Sequence, residues 1–152
     1  MFTQNIQFKS MEEIKQKKKL TWQMVVTIIA VVVGVNLSQR FLSKKNPDKE
    51  ITELVVKFNK SLPQMIAQNV RMDSLSSTPG NVQYNITLTN IKKADIDVEA
   101  FKQEVYQEIL SDIQNKPEFE AFKKSDITLF FSYNDKDKQN ICNLKFTANQ
   151  YK

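Results

Sequence analysis

The sequence predicts an α+β protein: a single N-terminal transmembrane helix followed by a small αββαββ domain with a mainly antiparallel four-stranded sheet. Three observations carry that reading. Between Lys19 and Arg40 the run LTWQMVVTIIAVVVGVNLSQ holds no ionisable side chain, in a chain whose residues are 26% charged. Beyond it the apolar period alternates between helical and strand spacing, one helix then two strands, twice over. About 100 residues remain after the run and a short linker, enough for one small domain with a single core.

The uncharged run comes first. A helix rises about 1.5 Å per residue, so twenty residues reach about 30 Å, the hydrocarbon thickness of a bilayer. Val25, Val26, Ile28, Ile29, Ala30, Val31, Val32 and Val33 would cover every face of such a helix. A buried core helix shows a stripe instead. Trp22 stands near one boundary, where amphipathic rings prefer the headgroup level. No small-x-small cleavage site follows, and no cysteine lies close by, so a signal anchor over 20–42 is expected rather than a cleaved signal peptide.

Lys15, Lys17, Lys18 and Lys19 precede the run, and Arg40, Lys44 and Lys45 follow it. These are the expected membrane-flanking basic residues. Lys9 and the tighter N-terminal cluster favour a cytoplasmic leader at 1–19 and a domain on the other side of a bacterial inner membrane. Residues 43–49 read as a linker, with Pro47 and Asp48 supporting a break.

The α+β domain is expected over 50–152. Ile51, Leu54, Val55, Phe58, Leu62, Met65 and Ile66 fall at helical spacing, giving a first helix over roughly 50–68 that Pro63 kinks or splits. Val70 and Met72 start an alternating run that dissolves into Ser74–Gly80. Thr78-Pro79-Gly80-Asn81 is a turn signal. Val82, Tyr84, Ile86 and Leu88 then alternate with polar residues as a half-buried strand. Asp97 caps a second helix whose buried stripe is Val98, Phe101, Val105, Ile109 and Ile113. Pro117 starts a short extra helix. Ile127, Leu129, Phe131 and Tyr133 form a third strand. The fourth carries Cys142, Leu144, Phe146 and Ala148, after a turn at Asn134–Lys138.

Composition narrows the function. Residues 1–45 carry eight Lys or Arg against two acids, a net +6, whereas residues 46–152 carry fourteen against fifteen, a net −1. The basicity therefore belongs with an anionic lipid surface, not with nucleic acid. The chain has no histidine, one cysteine and two glycines. Ser-His-Asp and Cys-His catalysis, phosphate-binding glycine loops and an intrachain disulfide are all missing.

The remaining constellations read as structure. Asp135 and Asp137 lack the glycine, the closing Glu and the ligand count of a calcium loop, and are expected at a charged hairpin tip. Cys142 is in register with core residues and is expected as a buried thiol. Glu99, Glu104, Glu108 and Asp112 are expected on a solvated helix face. Arg71 and Asp73 read as an exposed pair. Asn59-Lys60-Ser61 and Asn85-Ile86-Thr87 match the glycosylation triplet but carry little weight in a chain of bacterial appearance. No catalytic, metal-binding or cofactor-binding residue is expected.

Leu62-Pro63, Arg71-Met72-Asp73-Ser74, Tyr84-Asn85-Ile86-Thr87-Leu88, Pro117-Glu118 and the stretch from Phe131 to Asp137 together resemble a loose group of small bacterial envelope proteins of undefined function. The likeness covers about residues 60–148. It implies an α+β fold and an envelope setting. Members often carry a cysteine just before the Pro-Glu element and another near the C-terminus. Here Gln114 and the Gln150-Tyr151 region stand in those places, so the implied disulfide is absent.

The expected function is that of a single-pass membrane-anchored, non-enzymatic protein whose domain binds another envelope protein, as an accessory of a secretion or surface-assembly machine. The alternative is a membrane-anchored immunity or phage-exclusion factor. The expected partners are the lipid bilayer and that envelope protein. No nucleic acid, small-molecule substrate or cofactor is expected.

Overall fold

Pro47 opens helix α1 (Pro47–Asn59), at a position where a helix has no use for the missing N–H. Asp48 and Glu50 in the first turn and Lys57 in the last complement the helix dipole. The computed structural model describes residues 47–152. The leader at 1–19, the expected span at 20–42 and most of the linker lie outside the described residues.

α1 ends at Asn59, short of the expected 68. Leu62, Met65 and Ile66 keep helical spacing, but Pro63 cannot continue a helix and disfavours it in the residue before. Residues Gln64–Ala67 instead form strand β1, which turns back through Asn69, in the left-handed region at φ 64°, into β2 (Val70–Thr78). Asparagine tolerates that conformation better than most residues. Ser61 donates its hydroxyl to the Phe58 carbonyl at the helix end.

β2 runs straight through Ser74–Thr78, where the sequence reads as loop. Weak strand propensity there is overridden by pairing with β3 (Asn81–Leu88), in register from Thr78↔Asn81 to Val70↔Leu88. Gly80, at φ 72°, supplies the positive φ of the connecting turn. A bulge between Met72 and Ser74 shifts that register.

The chain then crosses over. A short turn of 3-10 helix at Lys93–Asp95 leads to α2 (Val98–Asn115). Asp97 caps α2 by accepting from the Glu99 and Ala100 amides at 3.1 and 3.0 Å. Phe101, Val105, Ile109 and Ile113 form its buried stripe. Pro117–Phe119 and α3 (Glu120–Lys124) lead into β4 (Thr128–Asn134), and β5 (Asn140–Phe146) returns beside it. α4 (Ala148–Tyr151) follows, closed by a capping box between Thr147 and Gln150. Ala148, expected in a strand, belongs to this last helix.

The sheet has five strands in the order β1-β2-β3-β4-β5, and β3 and β4 are parallel. This corrects the expected four-stranded, mainly antiparallel αββαββ arrangement. β1 is the added strand. The parallel pair follows from the crossover, since a strand that returns through a helix on one face enters beside its predecessor in the same direction. The expected single N-terminal transmembrane helix is likewise not part of the described fold, because no helix among the described residues is long and apolar enough to cross a membrane.

One face of the sheet builds the core. Val82, Tyr84 and Ile86 of β3, Leu129, Phe131 and Tyr133 of β4, and Leu144 and Phe146 of β5 point into it with the apolar faces of α1 and α2. Aromatic rings interlock there: Tyr84 stacks on Phe131 at 4.7 Å, and Phe101 meets Tyr133 edge-on at 5.5 Å. Tyr151, at 2% exposure, plugs the end of the core and gives its hydroxyl to the Ile127 carbonyl.

Where β1 stops, α1 shields the edge of β2. The Asn59 amide pairs with the Leu75 backbone, donating to its carbonyl at 2.7 Å and accepting from its N–H at 2.9 Å. It imitates a neighbouring strand for one residue. Asp48 accepts from the Gly80 N–H at 2.8 Å in the same way. Cover of this kind blunts the edge at Leu75 against pairing with a foreign strand.

Candidate functional site

The residues that could carry chemistry are mostly used up in structure. Cys142 is buried, and burial pushes its thiol up to about 11, so it stays protonated near neutral pH and is a poor nucleophile. Among the described residues no group of Cys, Asp and Glu is placed to hold a metal ion. Partial burial of Glu108, with Asp112 and Glu104 beside it, raises its carboxyl above the ordinary range. It stands on the α2 face where solvated acids were expected. Lys15, Lys17, Lys18, Lys19, Arg40, Lys44 and Lys45 lie outside the described residues.

Asp135 departs from the sequence reading. It is 1% exposed, not at a charged tip. Its carboxylate accepts from the amides of Lys93 at 2.9 Å and of Asp137 and Gln139 at 2.8 Å. It therefore ties the β4–β5 turn to the start of the crossover. The Lys93 N–H is the main reason its carboxyl lies below the usual range, helped by the other two amides.

A group whose pKa is depressed by folding adds stability above its unfolded pKa, about 3.9 for Asp, and loses that contribution as pH falls through the lower folded value. The wild type should hold its stability from neutral pH to about pH 5 and lose it below about pH 4. Asp135→Asn should be less stable at pH 7, with a shallower acid limb. Chemical denaturation at stepped pH reads both, and parallel acid limbs would contradict the role.

Arg71 and Asp73 are more than an exposed pair. The β2 bulge sets Asp73 beside Arg71, whose Nε donates at 2.6 Å, and beside Thr87, whose hydroxyl donates at 2.5 Å. Both glycosylation triplets have their amides engaged: Asn59 with Leu75, and Asn85 donating to the Ser74 hydroxyl at 2.9 Å. Gln114 donates to the Gln150 carbonyl at 3.0 Å. The two places where the resembled proteins carry cysteines are thus in contact, joined here by a hydrogen bond.

Among the described residues two surfaces stand open to a ligand or partner. The first is the outside of α1. Val56 is 57% exposed there, and Leu54, Lys57, Phe58 and Ser61 line a hollow of about 120 Å³. The second is the open face of the sheet, where polar residues of β2 to β5 alternate out of the core. Phe130, which the sequence reading passed over, is the apolar exception among the outward residues of β3 and β4.

The fold and these surfaces define a class: a two-layer α+β domain with both longer helices on one face of a five-stranded mixed sheet. The chain belongs to the family described as Domain of unknown function (DUF8479), whose profile matches residues 45–142, well over half of the 152. That match takes in α1, which the resemblance seen in the sequence did not reach.

Three solved structures share the fold, each with a TM-score of 0.54. A Pseudomonas aeruginosa protein assigned as secreted is 12% identical, over 69% of this chain and 96% of its own. EpsS, a pilotin of the Vibrio vulnificus type 2 secretion system, is 13% identical, over 69% and 91%. AspS, a type II secretion system pilotin of Vibrio cholerae, is 9% identical, over 70% and 94%. At these identities the likeness is one of fold. Comparison with curated proteins finds no match.

Proposed function

We propose that this protein is a non-enzymatic accessory of a secretion or surface-assembly machine in the bacterial envelope, and that its α+β domain works by binding another envelope protein. The observation that carries the reading is the shared fold: the described domain aligns with more than nine tenths of each of two secretion-system pilotins. Cys142 is buried, and Asp73, Asp97 and Asp135 are held in structural hydrogen bonds, which supports a binding role for the domain.

The contact surface we assign is the outside of α1. Half-buried Leu54 and Phe58 on one flank of α1, and exposed Val56 on another, offer apolar area that a partner can bury. A single-pass inner-membrane location, with the domain outside the cytoplasm, rests on the uncharged run Leu20–Gln39 and its basic flanks in the sequence.

The test is crosslinking in intact cells of the full chain with a C-terminal tag, followed by capture, with protease added to spheroplasts in parallel. A protease-sensitive tag and a stoichiometric machine component, lost in Val56→Glu, are expected. A protected tag, or partners confined to the cytoplasm, would overturn the reading. Capture of a toxin or phage protein would move the protein to immunity or phage exclusion instead.

A further inference from the structure

The open face of the sheet carries an arrangement that binding through α1 leaves unused. Strand register places Ser76, Gln83, Phe130 and Lys145 side by side across β2, β3, β4 and β5. With strands about 4.8 Å apart, that row is about 14 Å wide. The next row is Ser74, Asn85, Ser132 and Asn143, all amides and hydroxyls. At one end of the first row lies a hollow of about 240 Å³ lined by Ser76, Ser77, Thr78, Asn81, Gln83 and Phe130.

The lining has a defined chemistry. It holds the hydroxyls of Ser76 and Thr78, two carboxamides and one aromatic ring, and no ionisable group, while the Ser77 hydroxyl turns to the other face and donates to Thr52 of α1 at 3.3 Å. Gln83 donates to the Asn85 side chain at 3.0 Å, and Asn81 donates to the Pro79 carbonyl at 2.9 Å. Those bonds orient both amides while leaving their carbonyl oxygens without a partner among the described residues. The Ser76 hydroxyl is likewise unpartnered among them. Each can accept from, and the hydroxyl can also donate to, a ligand hydroxyl.

Phe130 is half-buried in the middle of this polar face, with the exposed Lys145 ammonium 5.7 Å from its ring centre. An apolar ring gains nothing from water at such a position, and its electron-rich face suits polarised C–H groups. The lining itself pairs with no charge, and the adjacent Lys145 would repel a cationic ligand.

We infer that the hollow beside Phe130 binds a neutral oligosaccharide. One sugar ring lies on Phe130, and its hydroxyls bond to Ser76, Asn81 and Gln83. The Lys145 side chain, long and exposed, swings off the ring as the sugar arrives.

The test uses the full chain, isotopically labelled, in a medium free of sugar-headed detergent, titrated with chitotetraose and with maltotetraose and followed by amide NMR. At least one should give saturable shifts at residues 76–83 and 130, with a Kd of about 0.1–1 mM. Phe130→Ala should weaken that binding by about tenfold or more. Gln83→Ala, at an exposed position, should weaken it without moving the melting temperature. No saturable shift with either sugar at about 10 mM, or unchanged binding in both variants, would overturn the inference. So would self-association of the wild type that Phe130→Ala abolishes, since a second copy would then be the occupant.

Discussion

Phe101→Ala should lower the stability of the domain by about 3–5 kcal/mol, the usual range for truncating a buried aromatic ring. Phe101 is 2% exposed at the start of the α2 stripe, and its ring meets Tyr133 edge-on at 5.5 Å. The loss therefore combines transfer of the ring to water, the cavity left behind and a broken aromatic contact. In a domain of this size each kcal/mol moves the melting temperature by about 4–8 °C, so a fall of more than about 12 °C is expected. An unchanged transition would mean that α2 buries a different face.

The second large effect has the opposite sign. The hydroxyls of Tyr84 and Tyr133 are buried and have no hydrogen-bond partner among the described residues. Burial raises the pKa of both, with Cys142 and then Glu108 adding to the shift at Tyr133. A buried hydroxyl that has given up water for nothing destabilises the fold, so Tyr84→Phe and Tyr133→Phe should each add about 1–2 kcal/mol, and the double variant about 2–4. Stacking of residue 84 on Phe131 survives the change. Urea denaturation of the three variants reads the effect. A loss of stability in either single variant would show that its hydroxyl is satisfied.

Much of the secondary structure was legible because its signals are local. The Asp97 cap, the stripe from Phe101 to Ile113, and the alternation in β3 and β4 all depend on neighbours a few residues away. β1 was missed because Leu62, Met65 and Ile66 fall at helical spacing, and pairing with β2, which buries Ile66 and leaves Met65 53% exposed, overrides it. Ser74–Thr78 was missed for a related reason. Serines have little strand preference, and β3 supplies the hydrogen bonds that hold them.

The candidate sites were less legible. Asp135 reads as a polar turn residue until three amides from two segments converge on it. Phe130 reads as one more aromatic in an aromatic-rich strand. The alternation of Leu129, Phe131 and Tyr133 already implies that it points outward, but its polar neighbours Ser76, Gln83 and Lys145 appear only with the strand register.

By itself the sequence determined the helices, most of the strands, the capped start of α2 and the scarcity of catalytic groups, because each depends on residue type and short-range spacing. Tertiary structure alone decided the fifth strand, the parallel β3–β4 pair, the burial of Asp135 and the neutral face around Phe130. Those depend on which distant segments meet, and the energy of long-range pairing is not written in any local window of the chain.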